Sequence, residues 1–210
     1  MKTMLIFIRH GESVANKKDL LAGRFDLGLT QIGEEQASLV AKALENTTLT
    51  AVYASNLPRA IKTASYLAKI HGFEVIQDEA FAEIDCGEFE GVNYLKVYDN
   101  PVLVEYRTNF VTGQFPGGET VKEVALRFYK GAQKIAEKHT GHTIAIATHA
   151  AALASFISLV KANGKVEDMK FVELTPNCSF TVCSFEDGEF TVEKYGDTSH
   201  LNGLITKFIR

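Results

Sequence analysis

No stretch of the 210-residue chain stays apolar for the roughly 20 residues that a membrane-crossing helix needs, so a helical span is excluded. The apolar run nearest the N-terminus is only Met4-Leu5-Ile6-Phe7-Ile8. That is too short for the core of a signal peptide, and the protein reads as cytoplasmic. An excess of positive charge is also missing. Twenty-two Lys and Arg against 26 Asp and Glu leave a net charge of −4, which argues against a non-specific binder of nucleic acid or of an anionic membrane. A small anionic substrate stays admissible, because a local cluster of arginine and histidine opposes the global sign. Cysteine is scarce. Cys178 and Cys183 fall on opposite faces of one expected strand and cannot bridge there, so with Cys86 they read as reduced thiols. C-x-x-C, H-E-x-x-H and calcium-loop spacings are absent, so no metal site is signalled and no cofactor is expected. Repeats, linkers and low-complexity tracts are lacking too, which leaves one domain over residues 1–210.

What is there alternates. The segment Met4–Ile8 is a continuously apolar strand, and Ala51–Ala54, Phe73–Ile76 and Thr143–Ala147 read likewise. Between them fall helical patterns. Thr30 caps one that carries Ile32, Gln36, Leu39, Val40 and Ala43, and Pro58 opens another that carries Ile61, Ala64, Leu67 and Ala68. The capping-box sequence Thr120-Val121-Lys122-Glu123 starts a helix running to about His139, and one more spans Ala151 to about Val160. Residues 92–110 suggest one or two short helices around Pro101. Gly11 to Gly28 reads as a long irregular polar loop, a kind more often functional than idle. Phe180–Phe185 and Phe190–Tyr195 flank the Asp187-Gly188 turn as an antiparallel hairpin, followed by a tail at Ile205–Arg210. The expected fold is α/β in three layers: a mostly parallel sheet with helices on both faces and a C-terminal antiparallel hairpin.

Polar residues recur where the strands end. Arg9 and His10 follow the first strand, Arg59 the second, Glu83 the third and His149 the fourth. A lone Arg-His pair at a strand end is more often a solvated cap. Parallel strands, however, present their carboxyl ends along one edge, so all five residues converge on one crevice. Two arginines and two histidines suit a tetrahedral anion: guanidinium forks hold phosphate oxygens bidentately and imidazole N–H groups add donors. Asn16 offers an amide from the adjoining loop. A carboxylate beside such a pocket repels a ligand that is only bound, whereas it makes sense if Glu83 hands a proton to a leaving oxygen. Neighbouring arginine charge keeps a histidine neutral and nucleophilic.

The run Arg9-His10-Gly11-Glu12-Ser13 resembles the signature of the histidine phosphatase superfamily, in its phosphoglycerate mutase-like branch. The resemblance extends through Gly23–Thr30, Ser55–Ala60, Glu83–Gly91, Pro116–Thr120 and Thr148-His149-Ala150, in the family's order from residue 4 to about 150. It implies that His10 is the phosphorylated nucleophile, that Arg9, Arg59 and His149 hold the phosphoryl group, and that Glu83 is the proton donor. Asn16 matches a position lining the phosphate site, and Ser13 and Arg24 lie near it. The acid phosphatase and phytase branch carries an acid after the second histidine, where this chain has Ala150.

Mutases of the family carry a Tyr three residues after the proton donor, an Arg-Arg pair in the middle insertion and Gly-Asn after the second histidine. Here stand Cys86, no Arg-Arg pair, and Ala150-Ala151. Over residues 92–115, the expected lid or insertion, the only cations are Lys96 and Arg107, so a second anionic group would find few partners. The expected activity is hydrolysis of a small phosphorylated metabolite through a phosphohistidine. The alternatives are a cofactor-dependent phosphoglycerate mutase and a non-catalytic phosphate-binding or regulatory module. The lid's apolar residues, among them Tyr94, Tyr98, Val104 and Tyr106, either line the substrate mouth or pack a helical subdomain onto the sheet. His71, His139 and His142 sit at helix ends or in a turn, where the dipole accounts for them. His200, in the polar segment Asp197-Thr198-Ser199-His200, is expected to pack structurally, with an approach to the site as the alternative. No heptad or interface stripe fixes the oligomeric state, and a homodimer stays open.

Overall fold

The computed structural model describes residues 1–206, so the expected tail lies outside the described residues from position 207 onward. Six strands form one sheet: β1 (Thr3–Arg9), β2 (Ala51–Ala54), β3 (Val75–Gln77), β4 (Thr143–Thr148), β5 (Phe180–Glu186) and β6 (Glu189–Asp197). Their order is β3-β2-β4-β1-β5-β6. The first four run parallel, whereas β5 lies antiparallel to β1 and β6 antiparallel to β5. This is the expected mostly parallel sheet closed by a hairpin.

Side-chain alternation along the strands divides the interior in two. Ile6, Ile8, Val52, Ala54, Ala145 and Ala147 face α2 (Gln31–Ala43) and α3 (Pro58–His71). Leu5, Phe7, Tyr53, Ile144 and Ile146 face α5 (Val121–Lys138) and α6 (Ala150–Lys161). On that second side Phe7 packs against Phe128 and Phe156, with ring centroids 5.4 and 5.3 Å away. The chain therefore leaves β1 toward one face and the neighbouring β4 toward the other. This divergence opens a crevice at their carboxyl ends, where ligands of open α/β sheets sit.

Several local details depart from expectation. The loop after β1 contains a helical turn, α1 (Val14–Lys17). Ser13 Oγ accepts the Asn16 N–H at 3.1 Å and Asn16 Oδ1 accepts the Ser13 N–H at 3.0 Å. It is the same reciprocal cap that Thr120 and Glu123 form at α5, hidden at Ser13 because an asparagine takes the glutamate's place. Cys178 precedes β5 rather than lying in it, at φ +52°. It packs in the α2/α3 core while Cys183 packs in the other, and all three thiols are free. Over residues 92–115 a turn at Tyr94–Val97 leads to α4 (Pro101–Thr108), which buries Leu103 and stacks Tyr106 on Phe115 at 4.4 Å. Tyr94, Tyr106 and Phe110 pack onto the core, whereas Leu95, Tyr98 and Val104 stay exposed. No helix among the described residues is long and apolar enough to cross a membrane.

The first turn of α2 touches the backbone of the loop after β1. A Cβ on Gly33 would stand 2.1 Å from the Glu12 carbonyl oxygen, and one on Gly11 2.2 Å from the Gly33 oxygen. Replacing glycine by alanine inside a helix ordinarily stabilises by about 1 kcal/mol. Here backbone meets backbone, so Gly33→Ala is expected to destabilise by roughly 1–3 kcal/mol in urea unfolding. A gain in stability would show that the contact is loose.

Candidate active site

His10 is the first residue beyond β1, and its N–H bonds the Thr148 carbonyl at 2.9 Å. Its Nδ1 lies 2.7 Å from the Gly11 carbonyl oxygen. A carbonyl only accepts, so Nδ1 carries the proton and Nε2 holds the lone pair. Consistent with that, the Arg59 Nε–H points at Nε2 from 3.3 Å. Burial, then Arg59 and Arg9, push the His10 pKa well below 6.5, against the smaller pull of the Gly11 bond. The result is a neutral imidazole with its lone pair on Nε2.

Arg59, in the first turn of α3, is 1% exposed. Every one of its five N–H groups is engaged. Besides Nε, Nη1 donates to Phe25 O and Asp26 Oδ2, both at 2.9 Å, and Nη2 to Ala22 O at 3.0 Å and Gly23 O at 2.7 Å. Asp26 also accepts the Arg59 backbone N–H at 3.2 Å. The sequence suggests a fork closing on phosphate. The structure turns only the Nε–H toward His10 and spends the rest on the loop at 22–26, because a buried cation needs acceptors on all sides. Arg9 donates through Nη1 to Thr175 O. Burial lowers its pKa to about 9 against the attraction of Glu83, which leaves it cationic at neutral pH.

His149 follows β4 and is the N-cap residue of α6. It is fully buried, its ring centroid is 5.1 Å from that of His10, and its Nε2 lies 2.8 Å from Ser55 Oγ. Burial first, then Arg59 and His10, push its pKa well below 6.5. Glu83 sets its carboxylate on the start of α6: Oε1 accepts from Ala152 N at 2.7 Å and Ile84 N at 2.9 Å, and Oε2 from Ala151 N at 3.1 Å. Arg127 of α5 braces this segment by donating to Glu83 O and Ala80 O, both at 2.9 Å, while Glu119 holds the guanidinium from 2.8 and 3.0 Å.

The structure thus gathers Arg9, His10, Arg59, Glu83 and His149, all less than 9% exposed. The others stand one step away. Asn16 Oδ1 accepts from Asn177 Nδ2 at 3.1 Å, and that same Nδ2 donates to the His10 carbonyl at 2.9 Å, so Asn16 is tied to the His10 backbone through Asn177. The Ser13 hydroxyl caps α1. Arg24 pairs with Glu119 at 3.2 Å, in the cluster around Arg127. His200 stacks on Phe180 and bonds the Cys178 carbonyl at 2.9 Å, which is packing, as expected. Sequence reasoning missed Asp26, Ser55, Arg127 and Asn177 as supports. Their one signal is that Asp26 and Ser55 lie inside family-like blocks.

The fold and its paired carboxyl-edge histidines define an α/β protein of the phosphoglycerate mutase-like class. More narrowly, the chain belongs to the histidine phosphatase superfamily, branch 1, whose sequence profile matches residues 5–198. Phosphoglycerate mutase-like protein 4 of Arabidopsis thaliana is 30% identical over 203 residues, covering 94% of this chain and 86% of that protein. Among solved structures, YhfR of Bacillus stearothermophilus superposes with a TM-score of 0.85 at 27% identity, covering 95% of this chain and 99% of that one. A phosphoserine phosphatase variant of Entamoeba histolytica in complex with phosphoserine gives a TM-score of 0.82 over 95% and 99% of the two chains. At 23% identity that is a likeness of fold.

The lowered pKa values of His10 and His149 have a consequence for stability. Below the ordinary value of 6.5 the unfolded chain binds protons that the folded chain refuses. Stability is therefore fully present above 6.5 and declines as pH falls below it, by up to about 1.4 kcal/mol per unit for each histidine. Urea midpoints measured from about pH 7.5 down to 5 check this, and a midpoint that stays flat or rises would contradict it.

Proposed function

We propose that the protein is a phosphomonoesterase that passes the phosphoryl group of a small phosphorylated metabolite through His10 to water. The carrying observation is the Nδ1 to Gly11 bond, which leaves a neutral Nε2 lone pair facing a guanidinium. In the first step Nε2 attacks phosphorus and the bond to the leaving oxygen breaks, while Glu83 protonates that oxygen. In the second, Glu83 takes a proton from water, whose oxygen displaces His10 and frees inorganic phosphate. Arg9, the Arg59 Nε–H and His149 hold the equatorial oxygens. Of the two Glu83 oxygens, Oε2 suits proton transfer, since it accepts a single amide at 3.1 Å whereas Oε1 accepts two shorter bonds. In this reading the chain is one domain, with residues 92–115 as a lid.

Hydrolysis is favoured over phosphoryl isomerisation by the lid's charge. Its one arginine, Arg107, donates to Tyr98 O at 2.8 Å and lies over the Tyr98 ring at 4.1 Å, so it is held within the lid itself. The mutase reading has the name of the Arabidopsis relative in its favour.

Wild-type protein is expected to release phosphate from p-nitrophenyl phosphate without 2,3-bisphosphoglycerate, and to form an acid-labile, base-stable phosphoryl label. His10→Ala should lose both, with kcat down by at least ~10³-fold, whereas His149→Ala should keep a label that turns over slowly. Phosphoglycerate isomerisation without phosphate release would establish the mutase. Neither label nor turnover on any monoester would leave a binding module.

A further inference from the structure

His149 has two ring nitrogens, and the protein environment decides which of them carries its proton. Burial keeps the ring neutral, so it has one N–H donor and one lone pair. Its Nε2 is taken up by Ser55 Oγ at 2.8 Å, and its buried Nδ1 has no hydrogen-bond partner among the described residues.

Ser55 decides between the two tautomers. It is fully buried beyond β2, its own N–H bonds the Ala147 carbonyl at 2.9 Å, and its Oγ accepts the Leu57 N–H at 3.2 Å. That hydroxyl has a single hydrogen to place, and His149 Nε2 is the acceptor beside it. If the hydrogen goes to Nε2, Ser55 is satisfied and His149 presents an Nδ1–H. If instead Nε2 carries the proton and donates to Ser55, two buried groups are stranded: the serine hydrogen and the Nδ1 lone pair. The first arrangement strands one group, the Nδ1–H, against two in the second, and each stranded buried polar group carries a desolvation penalty, so the first is the stable one. In the phosphoryl-transfer reading it also gives His149 a free donor, whereas a free lone pair would repel a phosphoryl oxygen.

We infer that Ser55 is a positioning residue that fixes His149 as the Nδ1–H tautomer, so that a buried, unpartnered N–H waits for the transferred phosphoryl group. The inference rests on the phosphoryl-transfer reading for its purpose, but the tautomer itself is measurable without turnover. The arrangement mirrors that of His10. There a backbone carbonyl holds the proton on Nδ1 so that Nε2 attacks; here a serine hydroxyl occupies Nε2 so that Nδ1 donates. Two imidazoles with the same tautomer thus present opposite functions to one ligand.

The test is two-bond ¹H–¹⁵N correlation spectroscopy of ¹⁵N-histidine-labelled protein, with His149 assigned from the signal lost in His149→Gln. Wild type is expected to show a protonated Nδ1 and an unprotonated Nε2 at His149. Ser55→Ala should mix or reverse the tautomers and lower kcat/KM for p-nitrophenyl phosphate at least ~10-fold, as loss of a tautomer-setting partner does elsewhere. Ser55→Thr, which keeps the hydroxyl, should restore both readouts. Should Ser55→Ala fail to fold, Ser55→Cys, a weaker donor, reads the same difference against Ser55→Thr. A wild-type His149 protonated on Nε2 overturns the inference, as does a Ser55→Ala protein with unchanged tautomer and unchanged kcat/KM. A wild-type Nδ1–H signal in a protein that hydrolyses no monoester removes the hydrolase and leaves the tautomer assignment standing.

Discussion

The Arg59 guanidinium, 1% exposed, sits between the two histidines and the loop at 22–26. Burying such a charge without partners is prohibitive, so the surrounding chain has to supply acceptors in the directions that the planar fork dictates. Ala22, Gly23, Phe25 and Asp26 supply them, and the loop takes its path accordingly. The same charge disfavours protonation of His10 and of His149. Loop order therefore depends on where Arg59 is held, and the neutrality of both histidines, set first by burial, draws on the same charge. The buried Asp26 partner is part of that arrangement, because removing one member of a buried ion pair leaves an uncompensated charge.

Electrostatics inside the crevice run against the protein as a whole. The chain carries a net charge of −4, yet the crevice holds two buried arginines and the amino end of α6. Glu83 belongs to this local balance. Its carboxylate satisfies amides at the helix start, and its charge attracts Arg9. A carboxylate that looks repulsive beside an anion site is, in the folded molecule, part of the helix terminus that the site is built on.

The strands, the hairpin turn and the capping box at Thr120 were legible in the sequence because each is a local pattern of apolar periodicity or a turn residue pair. The five central residues were legible because they are charged or imidazole groups at strand ends, where nothing in a core explains them. Ser55 and Asn177 were not. A serine and an asparagine suit loops for many reasons, and only three-dimensional placement shows that both are fully buried against the histidines. For Arg59 the sequence shows a cation beyond a strand end but not the acceptors at 22–26 that take up its terminal nitrogens, since no sequence pattern tells which acceptors crowd a guanidinium. The turn at Val14–Lys17 was hidden by a single unusual residue in the capping pattern.

The place of β1 in the middle of the sheet has a consequence for how the chain is made. Residues 3–9 are synthesised before any other strand of the sheet, yet both of their strand neighbours, residues 143–148 and 180–186, follow more than 130 residues later. Until those are synthesised, an apolar ribbon with two unpaired edges must wait. Such a segment is a template for wrong pairings between chains. The pairing that finally satisfies it is the same one that brings His10 beside His149, so no shorter nascent chain holds even a rudimentary site. Of the six strands, the one earliest in the sequence thus waits for partners from the latest part, and it is exposed to wrong pairings until they arrive.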